Sequence, residues 1–113
     1  DDFKTCCSTK KEQPILYLVK LFNKDGSEVF YKIGITSLSV KRRLKQCRYE
    51  YVSIIEFKNS PEKIFNLEKQ LHIALKTHAY KPTVKFSGWT ECFNYHEDVL
   101  NDFKNKINKI SNG

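Results

Sequence analysis

The run Ile15-Leu16-Tyr17-Leu18-Val19-Lys20-Leu21-Phe22 constrains this chain more than any other segment. It carries one charge, is too short for a helix apolar on all sides, and is rich in strand formers. It therefore reads as a strand buried on both faces, which demands a packed layer on each side of its sheet. Asn23-Lys24-Asp25-Gly26 follows as turn chemistry, with Asp-Gly favouring a tight reversal and Gly26 free to take positive φ. Glu28 to Ile35 is the partner strand, so the first commitment of the chain is an antiparallel hairpin.

Beyond the hairpin, Thr36, Ser37 and Ser39 offer N-caps for a helix predicted over 40–48. At about 100° per residue Val40, Leu44 and Cys47 share a buried stripe, Arg43 borders it, Lys41, Lys45 and Arg48 flank it, and Arg42 points away. A third strand is expected over 51–57. Ser60-Pro61-Glu62 is a helix start with a hydroxyl cap, a proline at the first helical position and an acid in the first turn. Ile64, Leu67, Leu71, Ala74 and Leu75 keep a helical period to about Thr77, with Glu68 and His72 four apart on its shoulder. A loop with Pro82 and Gly88 leads to Trp89-Thr90-Glu91-Cys92-Phe93, and a last helix from about Glu97 buries Leu100, Phe103, Ile107 and Ile110. The order β-β-α-β-α-α predicts an α+β domain, a three-stranded, mainly antiparallel sheet flanked by helices.

At 113 residues with 40% apolar content, the chain holds one domain whose core needs no disulfide or metal. Residues 1–13 are polar and unpatterned, as in a linker or disordered terminus, and residues 14–113 form the single domain. No apolar run approaches the roughly 20 residues of a membrane span, and the start has no apolar signal region. Cys6, Cys7, Cys47 and Cys92 show no C-x-x-C and read as reduced thiols of a cytoplasmic protein. His72, His78, His96 and the cysteines lack zinc-ligand spacing. The first residue is not Met, as expected of a piece of a longer chain, and the domain is expected to be monomeric.

The net charge of +7 is localised. From Lys41 to Lys85 eleven Lys and Arg face only Glu50, Glu56, Glu62 and Glu68, while the remainder carries nine charges of each sign. A basic stretch interleaved with Tyr and Phe is the electrostatic footprint of a nucleic-acid binder, because phosphate contacts dominate such affinity. The alternative is a solvated face kept for solubility.

Ile15-Leu16-Tyr17, Lys32-Ile33-Gly34, a helix carrying Lys41-Arg42-Arg43-Leu44, and Gly88-Trp89-Thr90-Glu91-Cys92-Phe93 follow one another in an order that resembles the GIY-YIG nuclease superfamily. The similarity is greatest to its phage and homing-endonuclease-like branch, whose second motif reads Lys-Ile-Gly, and it spans residues 14–93. The resemblance implies a phage homing-type endonuclease domain, working in a bacterial or phage-infected cell, that hydrolyses double-stranded DNA with Mg²⁺ or Mn²⁺. It assigns water activation to Tyr17, the scissile phosphate to Arg43 and the metal to Glu91. Lys32 stands where the superfamily has a second tyrosine. Those residue types suit the chemistry: a phosphodiester needs a deprotonated water and positive charge aimed at its oxygens, and a glutamate is a hard oxygen ligand.

Hairpin register decides which residue joins Tyr17. A four-residue loop over 23–26 puts Lys32 opposite Tyr17, a five-residue loop puts Ile33 there, and Tyr31 faces the other way. The reading adopted is Lys32, whose ammonium can also contact phosphate. Gly34, on the same face, would let the DNA backbone approach closely. Arg43, at the edge of the buried stripe, can be held rigidly, its planar fork suited to phosphate oxygens. Lys41, Arg42, Lys45 and Arg48 are expected to contact DNA phosphates generally. Glu68 and His72 match a Glu-x-x-Leu-His element of the same branch and either support the site or form an ordinary i,i+4 surface pair. Two other readings stand beside the nuclease: a non-catalytic DNA-binding module of the same fold, and a protein-interaction domain with incidental charge. Glu91 in its apolar setting separates the first from an enzyme, since a pure binder has no use for a metal ligand there.

If the basic stretch lies along duplex DNA, each phosphate neutralised contributes about 0.9 to the slope of log K against log salt. A slope of roughly three to five is expected in a fluorescence-anisotropy titration, falling by about one for each of Lys41, Lys45 and Arg48 replaced by Ala. A salt-independent affinity would make the charge a solubility feature.

Overall fold

In the computed structural model, which describes residues 13–112 apart from Gln46, Lys85, Ser87 and Gly88 and gives only the backbone at Trp89, Ser111 and Asn112, the hairpin forms as β1 (Ile15–Phe22) and β2 (Val29–Thr36). The expected linker lies, but for Gln13, outside the described residues. The turn between the strands is six residues long, not four. The Asn23 N–H donates to the Glu28 carbonyl, Asn23 Oδ1 accepts the Glu28 N–H at 2.9 Å, and Asp25 Oδ1 accepts the Ser27 N–H at 3.0 Å. Gly26 takes φ 76° within it, the positive value that its lack of a Cβ permits. These side-chain bonds widen the loop, and they explain the shift of register described below.

β3 (Glu50–Lys58) pairs antiparallel with the free edge of β1, and its register slips between Leu18 and Val19, leaving Ile54 bulged out and largely exposed. Among the described residues the sheet has four strands, correcting the expected three, because β4 (Cys92–Asn94) adds to β2 in the order β3-β1-β2-β4. Three residues are too few to show an alternation, so β4 carries no periodic signal of its own.

Both faces of β1 are covered, as its composition demands. On one face Leu16, Leu18, Tyr31 and Ile33 pack with α2 (Pro61–Ala74) through Ile64, Leu67 and Leu71, and with α3 (Glu97–Asn112) through Val99 and Phe103. On the other, Tyr17, Val19, Leu21 and Phe30 meet Val40, Leu44 and Tyr49, with Tyr80 and Phe86 against them. Phe30 is the centre of that second layer, stacked on Tyr80 and edge-on to Tyr49, with ring centroids 4.9 Å away in each case. No helix among the described residues is long and apolar enough to cross a membrane.

Two local readings change. The helix expected over 40–48 is one turn, α1 (Val40–Arg43), capped by Ser39 Oγ accepting the Arg42 N–H at 3.2 Å. A helix through Arg48 would leave one residue before β3, whereas the buried Tyr49 must first be carried into the aromatic layer. α2 starts at Pro61 as read, but the Ser60 hydroxyl makes no cap bond, and a 3-10 turn at Lys76–His78 replaces its last residues.

The helical face should carry the stability. Leu67→Ala is expected to cost about 2–5 kcal/mol in urea unfolding, whereas Val52→Ala on the exposed side of β3 should stay within about 0.5 kcal/mol. Equal losses would misplace the core.

Candidate functional site

The site is built around a lysine that has left water. Lys32 alternates along β2 with buried Tyr31 and Ile33, and its side chain is 0% exposed. An isolated ammonium in such a place costs several kcal/mol, so the fold must supply partners. It supplies two: Lys32 Nζ donates to Tyr17 Oη at 2.8 Å and to Glu91 Oε1 at 3.0 Å. Nζ also lies 5.0 Å from the centroid of the Tyr17 ring. Burial alone would pull the Lys32 pKa down, but the neighbouring Tyr17 and Glu91 outweigh it and hold the ammonium above its ordinary value.

Register explains how the pair meets. The residue opposite Tyr17 is Gly34, and Lys32 lies opposite Val19, two positions from the pairing expected. The six-residue turn causes that shift, and because it is an even number of residues Lys32 keeps its face and reaches Tyr17 diagonally. Gly34 makes the diagonal possible. A Cβ there would lie 2.5 Å from Tyr17 Oη and 2.9 Å from Lys32 Nζ, too close for either to stay. The glycine expected to admit a DNA backbone thus first admits the Tyr17–Lys32 contact.

Glu91 arrives at the end of the 3-10 turn Trp89–Glu91, one residue before Cys92, which pairs with Lys32 across the β2–β4 ladder. Its carboxylate is 29% exposed, so it faces the buried ammonium on one side and solvent on the other. From α2, Glu68 and His72 converge on it, each half-buried, and ligating atoms of Glu68, His72 and Glu91 lie within 4.8 Å of one another. This is no surface pair. Burial, and then the charge of Glu91, push the Glu68 carboxyl up to about 7, and a hydrogen bond with Glu91 adds to the effect. His72 is driven below its usual pKa chiefly by burial, while its ring engages the backbone of Ile33 and sits edge-on to Phe93 with centroids 5.2 Å apart. Its Nε2 is buried with no hydrogen-bond partner.

Tyr17, Lys32, Gly34, Glu68, His72 and Glu91 therefore come together. Arg43 does not join them. It is exposed on the single turn of α1, as are Lys41 and Arg42, with Lys45 and Arg48 exposed just beyond. The wheel argument that set Arg43 apart from Arg42 rested on a longer helix, and both side chains stand in solvent. Among the described residues none of the five has a side-chain hydrogen-bond or ion-pair partner.

Glu28, which carried no motif, is the residue that sequence reasoning missed. Its carboxylate accepts the hydroxyls of Tyr49 and Tyr80 and the N–H of Thr83, tying the segment that leads to Glu91 onto the hairpin. Burial raises its pKa, but the bonds from Tyr80, Thr83 and Tyr49 outweigh it and hold the carboxyl below its ordinary value. The nearest signal was a charge at the start of an apolar strand. His78 and His96, far apart in sequence, stack with centroids 5.1 Å apart beside Asp98. That cluster is solvent-facing, and His96 Nδ1 accepts the Asp98 N–H at the start of α3.

Compared with known families, the chain matches the model of the T5orf172 domain over residues 15–108, nearly all of the sheet and helices just described. The chain belongs to the T5orf172 domain family. This corrects the resemblance to the GIY-YIG superfamily: motifs of three to six residues on a hairpin, a turn of helix and a loop describe the chain piecewise, whereas the match over residues 15–108 assigns it to a different domain family. T5orf172 domains occur in phage and nuclease-associated proteins. No curated protein and no solved structure matches the chain.

The Glu68 carboxyl gives the T5orf172 site a pH signature. Its folded pKa of about 7 lies above the ordinary value of 4.5, so between these values the folded protein holds a proton that the unfolded chain has released. That contribution is complete below the unfolded value and is lost as pH rises through the folded one. With metal ions chelated, the melting temperature of the parent should fall relative to Glu68→Gln from about pH 5 to about pH 8. Parallel curves would remove the assignment.

Proposed function

We propose that this T5orf172 domain binds double-stranded DNA and hydrolyses its phosphodiester bonds with a divalent metal ion, Mg²⁺ or Mn²⁺, at Glu91. The observation that carries the reading is the buried Lys32 ammonium joining a phenol to a carboxylate that is still reached by solvent. A charge is expensive to bury, and one spent on fixing Tyr17 and Glu91 relative to each other marks a preorganised polar centre. The occurrence of the family in nuclease-associated proteins and the exposed basic run beside α1 support the same reading.

The residues of the chain then take the following parts. Lys32 donates to Tyr17 Oη, so the phenol oxygen is held as an acceptor and its own hydrogen is directed elsewhere, toward an incoming water or phosphate oxygen. Tyr17 orients the attacking water; once its own hydrogen has passed to solvent, the phenolate held by Lys32 takes the water's proton as the new P–O bond forms and the bond to the departing deoxyribose oxygen breaks, that oxygen taking a proton from solvent. Lys41, Arg42, Arg43, Lys45 and Arg48 hold the phosphate backbone. The centre fits a cation on this chain's own chemistry, with two carboxyl groups facing each other and a buried imidazole nitrogen unsatisfied beside them. When bound there, a divalent ion would supply Lewis-acid charge to the phosphate oxygens.

A non-catalytic DNA-binding module is the second reading, and one observation favours it: Lys32 already neutralises Glu91. Plasmid relaxation separates the two. The domain should convert supercoiled plasmid to nicked or linear forms with Mg²⁺ or Mn²⁺ and not with EDTA. Glu91→Gln, which keeps an acceptor for Lys32 where Ala would strand a buried charge, should abolish cutting and stay folded. Tyr17→Phe should lose about 10²-fold or more in rate. Undiminished cutting by Glu91→Gln would defeat the nuclease reading, and DNA binding without metal-dependent cutting would establish the module.

A further inference from the structure

The imidazole of His72 is placed as a ligand would be. Its Nε2 is buried and makes no hydrogen bond, and among the described residues no other buried side-chain nitrogen or oxygen lacks a partner. The backbone of Ile33 lies beside the ring and favours a hydrogen on the imidazole, and the unpartnered Nε2 is the nitrogen left to present a lone pair. A backbone group beside one nitrogen of a histidine whose other nitrogen is free is a common outer support of a metal-bound imidazole. Phe93 packs edge-on to the ring, with centroids 5.2 Å apart.

The oxygens lie where that lone pair needs company. Glu68 and Glu91 offer carboxylate atoms within 4.8 Å of the imidazole and of each other. Ligands of one ion at about 2.1 Å each stand about 3–4 Å apart, so small side-chain rotations gather the three. Lys32 occupies Glu91 Oε1, which leaves Oε2 for this purpose. Glu68 and Glu91 in mutual contact also require something positive between them, a proton or a cation.

We propose that Glu68, His72 and Glu91 together bind one divalent cation, and that the imidazole makes the site select a first-row transition ion such as Mn²⁺ over Mg²⁺. The proposal rests on the reading of Glu91 as a metal ligand and extends it in two ways, by adding a nitrogen donor and by fixing the class of ion. Mg²⁺ is served by oxygen ligands and waters, and gains little from an imidazole. A transition ion gains both the nitrogen bond and relief of the unsatisfied Nε2. The three ligands come from α2 and from the 3-10 turn just before β4, so the ion would also cross-link two elements joined by a long loop.

The test uses the whole domain, stripped of metal, with Mn²⁺ and Mg²⁺ as probes. Calorimetric titration should give about 10-fold or greater preference for Mn²⁺, and pulsed electron paramagnetic resonance of the bound Mn²⁺ should show coupling to an imidazole nitrogen. His72→Gln should remove that coupling and weaken Mn²⁺ binding about 10-fold or more, with Mg²⁺ binding changed less than about twofold. The nitrogen signal is read on the unsubstituted protein, so the test stands even if a variant misfolds. Binding that needs Glu91 but shows no nitrogen coupling and no Mn²⁺ preference would overturn the three-ligand site and leave Glu91 as a metal ligand. Binding unaffected by Glu91→Gln would overturn both readings.

Discussion

A single ammonium that cannot reach water organises this domain. Lys32 is wholly buried in β2, and the energy of placing it there is recovered only if Tyr17 and Glu91 are both in position. Tyr17 follows from the β1–β2 register, and Glu91 from the β2–β4 ladder. Three residues of β4 would be a weak strand by themselves. The ion pair at their N-terminal end helps to make that pairing specific, because a slip would strand a charge.

The two faces of the sheet have different characters. Aliphatic side chains of α2 and α3 fill one, and aromatic rings from loops and the turn of α1 fill the other. Helices position side chains with little play, so Glu68 and His72 enter the site on a rigid element. The opposite layer depends on polar ties instead. Glu28 gathers two tyrosine hydroxyls and a backbone N–H, and through them the far end of the hairpin restrains the segment that delivers Glu91. The exposed basic side chains lie on the turn that closes this second layer, leaving them free for a polyanion while the acidic centre stays half-covered.

The sequence was legible where a pattern ran long. The double-sided burial of β1, the hairpin, and the helices beginning at Pro61 and Glu97 all followed from apolar spacing and end signals. The face of Lys32 was read correctly and its partner was not, because face depends only on parity whereas register depends on side-chain bonds inside the turn. β4 and the shortened α1 escaped because their bounds are set by what they must reach, not by their own composition. Short motifs drew together Tyr17, Lys32 and Glu91, which do meet, while pointing to a superfamily other than the one matched over residues 15–108. Glu28 had no motif at all, and its role depends on Tyr80 and Thr83, more than fifty residues further along the chain.

The order in which the chain is made adds a temporal side to the Lys32–Glu91 pair. The lysine and its carboxylate are 59 residues apart, and the sheet strands β1, β2 and β3 all precede Glu91. Until that residue leaves the ribosome, closing the hairpin against its core would enclose a cation with only a phenol beside it. Contacts of such long sequence separation form slowly and late. The domain should therefore remain incompletely folded through most of its synthesis and acquire its polar centre in the same step that locks the sheet, so that no stable folded form exists without the centre assembled.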